Sequence, residues 1–170
     1  MRFLYGTRTA FLIGVLAVAL ASPLTAFAAA RKGAPAPAIK VVSTSGQTIT
    51  LANYQGRVLI LDFFASWCGP CREAIPHLVD LNRRYGKQGL QLLGLSADDD
   101  SGAVKEFAAE KKIPYPVAMV NDQLLNDYGV RSIPTLFVIN KKGIVVERFM
   151  GFSDEMSRSL EALIKRLLAE

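Results

Sequence analysis

Thiols and imidazoles are scarce in this chain: Cys68 and Cys71 are the only cysteines and His77 is the only histidine. A closed structural zinc site takes about four such ligands, so these residues do not build one. Nor do the cysteines staple distant segments together. Closing so short a loop removes little chain entropy, which marks the pair as reactive rather than structural. Excess charge of one sign is also lacking. Lys and Arg number 20 against 15 Asp and Glu; with Arg2 and Arg8 set aside as leader residues, 18 face 15, a net +3. No basic run is interleaved with aromatics, so nucleic acid is not an expected partner. Internal repeats and low-complexity tracts are absent. Asp98-Asp99-Asp100 lacks the alternating ligand spacing of a calcium loop and reads instead as a helix cap.

What is present begins with a leader. Residues 1–30 combine two arginines, no acid, an apolar run from Phe11 to Ala21, Pro23, and small residues at Ala26, Ala28, Ala29 and Ala30. This is the layout of a secretory signal, with Ala26-Phe27-Ala28 supplying the small-x-small pattern and cleavage expected after Ala28 or Ala30. The alternative is a retained membrane tether, because residues 10–30 are uncharged and of the length (about 20 residues) that a bilayer requires. Neither cysteine lies there, so a cysteine-linked lipid is excluded. Residues 31–38 are a Pro- and Ala-rich linker or extended entry segment. Residues 39–170 suffice for one buried core, and the chain as a whole is 51% hydrophobic, so a single domain and a monomer are expected. Export places that domain where disulfides persist.

Val41-Val42 and Gln47 to Leu51 flank Ser45-Gly46 and predict two short strands. Arg57 to Phe64 is an almost unbroken apolar run, suited to a strand covered on both faces. After Cys71, the spacing of Ile75, Leu78, Leu81, Asn82 and Tyr85 predicts a helix that Gly86 stops. A strand over 91–96, a helix carrying Val104, Phe107 and Ala108, a short strand at 117–119 and a helix over 121–128 follow. Thr135 to Asn140 and Ile144 to Phe149 flank Lys141-Lys142-Gly143 as a hairpin, and Asp154 to Leu168 forms a terminal amphipathic helix. The sum is an α/β protein with a mixed sheet flanked by helices.

Disulfide exchange needs a thiolate to attack, a second thiol to resolve the mixed disulfide, and access for another protein's cysteine. Cys68 and Cys71 supply the first two. If the pair opens a helix, Cys68 sits where free N–H groups and the helix dipole favour negative charge, which makes it the attacker and Cys71 the resolver. Pro70 suits a first helical turn, Gly69 keeps the turn tight, and Trp67 gives an apolar flank. Asp62 interrupts the apolar strand six positions earlier; a buried carboxylate there has a raised pKa and exchanges protons. His77 reads as an ordinary helix residue.

The run Phe-Phe-Ala-Ser-Trp-Cys-Gly-Pro-Cys-Arg (63–72), with Pro76 following, resembles the thioredoxin active-site segment, and Val130 to Thr135 resembles the thioredoxin loop that faces the dithiol. The resemblance implies a thioredoxin fold, a redox-active Cys68–Cys71 disulfide, a cis Ile133–Pro134 bond, substrate backbone pairing around Ile133, Pro134 and Thr135, and proton exchange between Asp62 and Cys71. Residues 33–37, Ser45-Gly46, Leu51 and Tyr54 to Arg57 are similar to the entry segment of the TlpA/ResA group of exported bacterial oxidoreductases. That similarity implies an N-terminal β-hairpin extension and a central αβ insert over 102–119. It also implies a periplasmic or extracytoplasmic location at the inner membrane, protein dithiols and disulfides as substrates, and electrons from a membrane thiol reductase. Members act as specific reductants, including for apocytochrome c thiols. No cofactor or metal is implied.

Many such reductants carry an acid three residues after the second cysteine; here Ala74 holds that position and Glu73 precedes it. Two alternatives stand beside a reductase: a disulfide donor working in the opposite direction, and a Cu(I)-binding module. Copper-carrying relatives of thioredoxin usually combine Cys-x-x-x-Cys with a distant histidine; here the cysteine spacing differs and no histidine follows position 77. A Thr-x-x-Cys peroxidatic arrangement is also missing.

Overall fold

The computed structural model describes residues 29–170. The expected signal or tether over residues 1–30 therefore falls almost wholly outside the described residues. Among the described residues no helix is long and apolar enough to cross a membrane.

The chain runs β1 (Lys40–Val42), β2 (Thr48–Thr50), β3 (Val58–Phe64), α1 (Gly69–Tyr85), β4 (Leu90–Ser96) and α2 (Ser101–Glu110). It continues with β5 (Val117–Met119), α3 (Asp122–Tyr128), β6 (Thr135–Ile139), β7 (Val145–Met150) and α4 (Asp154–Ala169). The main sheet has the order β5-β4-β3-β6-β7. β3 pairs in parallel with β4 and antiparallel with β6, and all seven of its residues are buried. That is why its sequence shows no polar alternation. This is the expected mixed sheet, with the additional two-stranded β1–β2 hairpin.

Alternation along β3 divides the core. Leu59, Leu61 and Phe63 face a layer holding Tyr128 of α3 and Ile39, Val41 and Ile49 of the entry region. Val58 and Ile60 face Leu78 and Leu81 of α1 and Leu160 and Ile164 of α4. Phe64 joins Val104 and Phe107 of α2 around the two cysteines.

Neighbouring backbone covers β5 and the start of β7, which shortens the edges open to pairing with other chains. Beside β5, the Thr44 N–H donates to the Val117 carbonyl at 2.8 Å. Beside β7, the 33–36 segment exchanges backbone hydrogen bonds with Val145 and Gly143, and the Tyr128 hydroxyl donates to the Pro37 carbonyl at 2.8 Å. Residues 31–38 thus lie along the domain as an extended entry segment.

One helix end differs from expectation. α1 stops at Tyr85, but Gly86 keeps right-handed geometry and begins a further short 3₁₀ turn. Gly89, at φ 110°, makes the left-handed turn into β4. Two glycines share what Gly86 alone was expected to do.

Candidate dithiol site

The turn from β3 into α1 places Cys68 at the N-cap of α1, in extended backbone geometry. Its Sγ accepts the N–H of Cys71 at 3.3 Å, and its carbonyl accepts the N–H of Arg72 at 3.1 Å. Pro70, which has no N–H to lose, sits in the first turn, where such donors have no intrahelical partner. Cys68 and Cys71 are joined as a disulfide, with their Cα atoms 5.2 Å apart. Cys68 keeps 7% of its surface open and Cys71 none. Cys68 therefore keeps a narrow opening at the positive end of a 17-residue helix, while Cys71 is closed off completely.

Trp67 stands beside Cys68 with 69% of its surface exposed. Ile133–Pro134 is cis, and Ile133 packs against the cluster that contains both cysteines. The structure thus brings the two sequence-distant motifs to one place. Thr135 is fully buried; its hydroxyl donates to the Ser132 carbonyl at 2.8 Å and ties the loop to β6. On the other side of the loop, the Gly151 N–H donates to the Pro134 carbonyl at 2.9 Å.

Asp62 sits in the middle of the sheet, 1% exposed, opposite Gly94 on β4 and Leu136 on β6. Neither carboxylate oxygen has a hydrogen-bond partner among the described residues. Burial, which penalises the charged form, pushes its pKa up to about 7. A carboxyl group that gains and loses a proton near neutrality suits proton exchange. His77 is exposed on α1, its ring tilted by 47° against Phe152 at a 5.0 Å ring separation. Glu73 is exposed whereas Ala74 is buried, as one residue of helical rotation requires.

A feature the sequence did not single out holds the turn before Cys68. The Asp98 carboxylate accepts the Ser66 N–H at 2.9 Å, the Ser66 hydroxyl at 2.6 Å and the Ser96 hydroxyl at 2.5 Å. From the other side, Arg72 Nη1 donates to the Ser66 carbonyl at 3.1 Å. Burial acts to raise the Asp98 pKa, but the hydrogen bonds from Ser66 and Ser96 outweigh it and keep the group below the usual carboxylate range. Two of the three acids therefore have distinct roles: Asp100 caps α2, while Asp98 anchors the active-site turn across a separation of 32 residues. Only the position of Asp98 two residues after the end of an apolar strand hinted at this.

A separate cleft of about 470 Å³, lined by Tyr54, Arg57, Leu59, Ile139 and Lys141 among others, opens at the far end of β3. It shares no residue with the dithiol site.

The profile of the AhpC/TSA family matches residues 32–148. The thiol-disulfide oxidoreductase ResA of Bacillus thuringiensis is 33% identical over 136 residues, spanning 79% of this chain and 78% of that protein. ResA of Geobacillus kaustophilus is 31% identical over 163 residues, spanning 92% and 94%. Among solved structures, a candidate thiol:disulfide interchange protein DsbE from Chlorobium tepidum superposes with a TM-score of 0.78 at 32% identity, over 82% of this chain and 99% of that one.

Proposed function

Because the chain belongs to the AhpC/TSA family, as a ResA-type thiol-disulfide oxidoreductase, we propose that it reduces disulfides of client proteins on the extracytoplasmic side of the membrane. The observation that carries this reading is the asymmetry of the pair: Cys68 caps a helix N-terminus and is 7% exposed, whereas Cys71 is fully buried. In the reduced protein the Cys68 thiolate attacks a client disulfide, forming a mixed disulfide and releasing one client thiolate. Cys71 then loses its proton to Asp62 and attacks Cys68. The Cys68–Cys71 bond forms, the bond from Cys68 to the client breaks, and the second client thiolate leaves. Two electrons have passed from the dithiol to the client. Trp67, Gly69 and Pro70 form one wall for the visiting strand and Ile133 and Pro134 the other, with Thr135 buried behind them.

The leader-like residues 1–30 support a periplasmic position, free or tethered, and a membrane thiol reductase as the source of electrons. Buried Ala74 and exposed Glu73, where an acid facing the sulfur marks many reductants of apocytochrome c, favour a broader range of clients. The test is insulin reduction with dithiothreitol as regenerant. The protein is expected to accelerate precipitation of insulin, Cys68→Ser to abolish the effect and Cys71→Ser to accumulate a mixed disulfide. A wild-type rate equal to that of dithiothreitol alone rejects the proposal.

A further inference from the structure

Three buried oxygen atoms on one side of the sheet lack a hydrogen-bond partner among the described residues: both oxygens of Asp62 and the hydroxyl of Tyr115. Buried polar groups are nearly always satisfied, so three together call for an explanation. The sheet register brings them close. Asp62 pairs with Gly94, Gly94 pairs with Val117, and the Gly94 N–H donates to the carbonyl of Pro116, the residue after Tyr115, at 2.9 Å. Gly94 offers no side chain between them; a Cβ there would lie 3.1 Å from both Phe64 and Val117. The Tyr115 ring packs in the same layer as Val58 and Ile60, the face of β3 to which alternation assigns Asp62.

We propose that Tyr115 is a positioning residue for the thiol exchange: its hydroxyl, joined to the Asp62 carboxyl through one internal water, donates to the ionised form. This rests on the assignment of Asp62 as the proton acceptor for Cys71. Gly94 and Leu136, opposite Asp62 on the neighbouring strands, carry no charge, nor do Ile75, Leu78, Phe107 and Ile164 of the helix clusters packed on that side of the sheet. Of the titratable residues in those clusters, Cys68 and Cys71 are joined as a disulfide, Tyr85 donates its hydroxyl to Glu161, and Tyr115 is the one on which the charge of Asp62 acts. Burial first, and then the charge of Asp62, keep the Tyr115 phenol well above its ordinary pKa, so across the titration of Asp62 it remains a neutral donor.

The experiment is a carboxyl-carbon NMR titration of the oxidised protein, with the Asp62 signal identified by its loss in Asp62→Asn. Tyr115→Phe removes one oxygen and preserves the ring. It is expected to raise the Asp62 midpoint by about one pH unit, the equivalent of one neutral hydrogen bond to the charged form, and to shift the pH profile of client release by the same amount. An unmoved midpoint overturns the proposal. In the wild-type protein, which needs no substitution, the Tyr115 ring-carbon signal is expected to move with the Asp62 midpoint; a flat signal also overturns it. If instead Asp62→Asn reduces insulin at the wild-type rate, the proton role of Asp62 fails while the titration still decides the link to Tyr115.

Discussion

Replacing Asp62 with Asn is expected to make the protein more stable at neutral pH while slowing it. The native state holds the Asp62 proton until about pH 7, whereas an unfolded chain releases an aspartate proton near 3.9. Between those values the unfolded state binds fewer protons than the native one, so stability falls as pH rises through the window. The full loss corresponds to about three pKa units, roughly 4 kcal/mol at about 1.4 kcal/mol per unit. Asp62→Asn keeps the shape and never carries the charge. Its stability advantage is therefore small below pH 4, grows from pH 4 to 7 and levels off above. Urea unfolding of the oxidised wild-type and variant proteins at five pH values measures this difference, in which titrations elsewhere cancel. A difference that stays constant from pH 4 to 8 refutes the reasoning, for it means that Asp62 titrates alike in both states. The same buried carboxyl that costs stability at neutral pH is the one assigned to accept the Cys71 proton, a local conflict of the kind found at functional sites.

Two further substitutions probe the frame of the site. Asp98→Ala leaves the N–H and hydroxyl of Ser66 and the hydroxyl of Ser96 without their acceptor, and is expected to cost about 2–3 kcal/mol in urea unfolding and to slow insulin reduction; a loss below about 0.5 kcal/mol contradicts the assigned anchoring. Gly94→Ala sets a methyl group 3.1 Å from Phe64 and Val117, an overpacking expected to cost about 1–3 kcal/mol, and an unchanged denaturation midpoint contradicts it.

How much the sequence disclosed depended on the range of the interactions involved. The unbroken apolar run of β3, the capping of α1 by Cys68, the hairpin at residues 141–143 and the helix start at Asp154 are written in adjacent residues, and each emerged close to where periodicity and turn chemistry placed it. The pairing of Cys68 with Cys71 followed from their being the two cysteines of the chain at so short a spacing, whereas the cis bond before Pro134 was legible only through resemblance to thioredoxin. Asp98 was missed because its partner Ser66 lies 32 residues away, and its setting in an acidic run fits an ordinary helix cap equally well. Tyr115 was overlooked for a similar reason: a tyrosine between two prolines reads as loop, and its proximity to Asp62 arises from two successive strand pairings through Gly94. The role of Gly89 was masked by Gly86, which stands where a helix stop belongs.

The central claim is that the Cys68 thiol, once reduced, ionises at the helix N-terminus and remains open to a visiting sulfur. Iodoacetamide alkylation of the reduced protein across pH 4 to 10, with the modified residue identified by mass, tests it most directly. The account predicts rapid labelling confined to Cys68, with a midpoint well below the value of about 8.5 that an ordinary cysteine shows. Labelling of Cys68 with a midpoint at or above that value, or preferential labelling of Cys71, would contradict it.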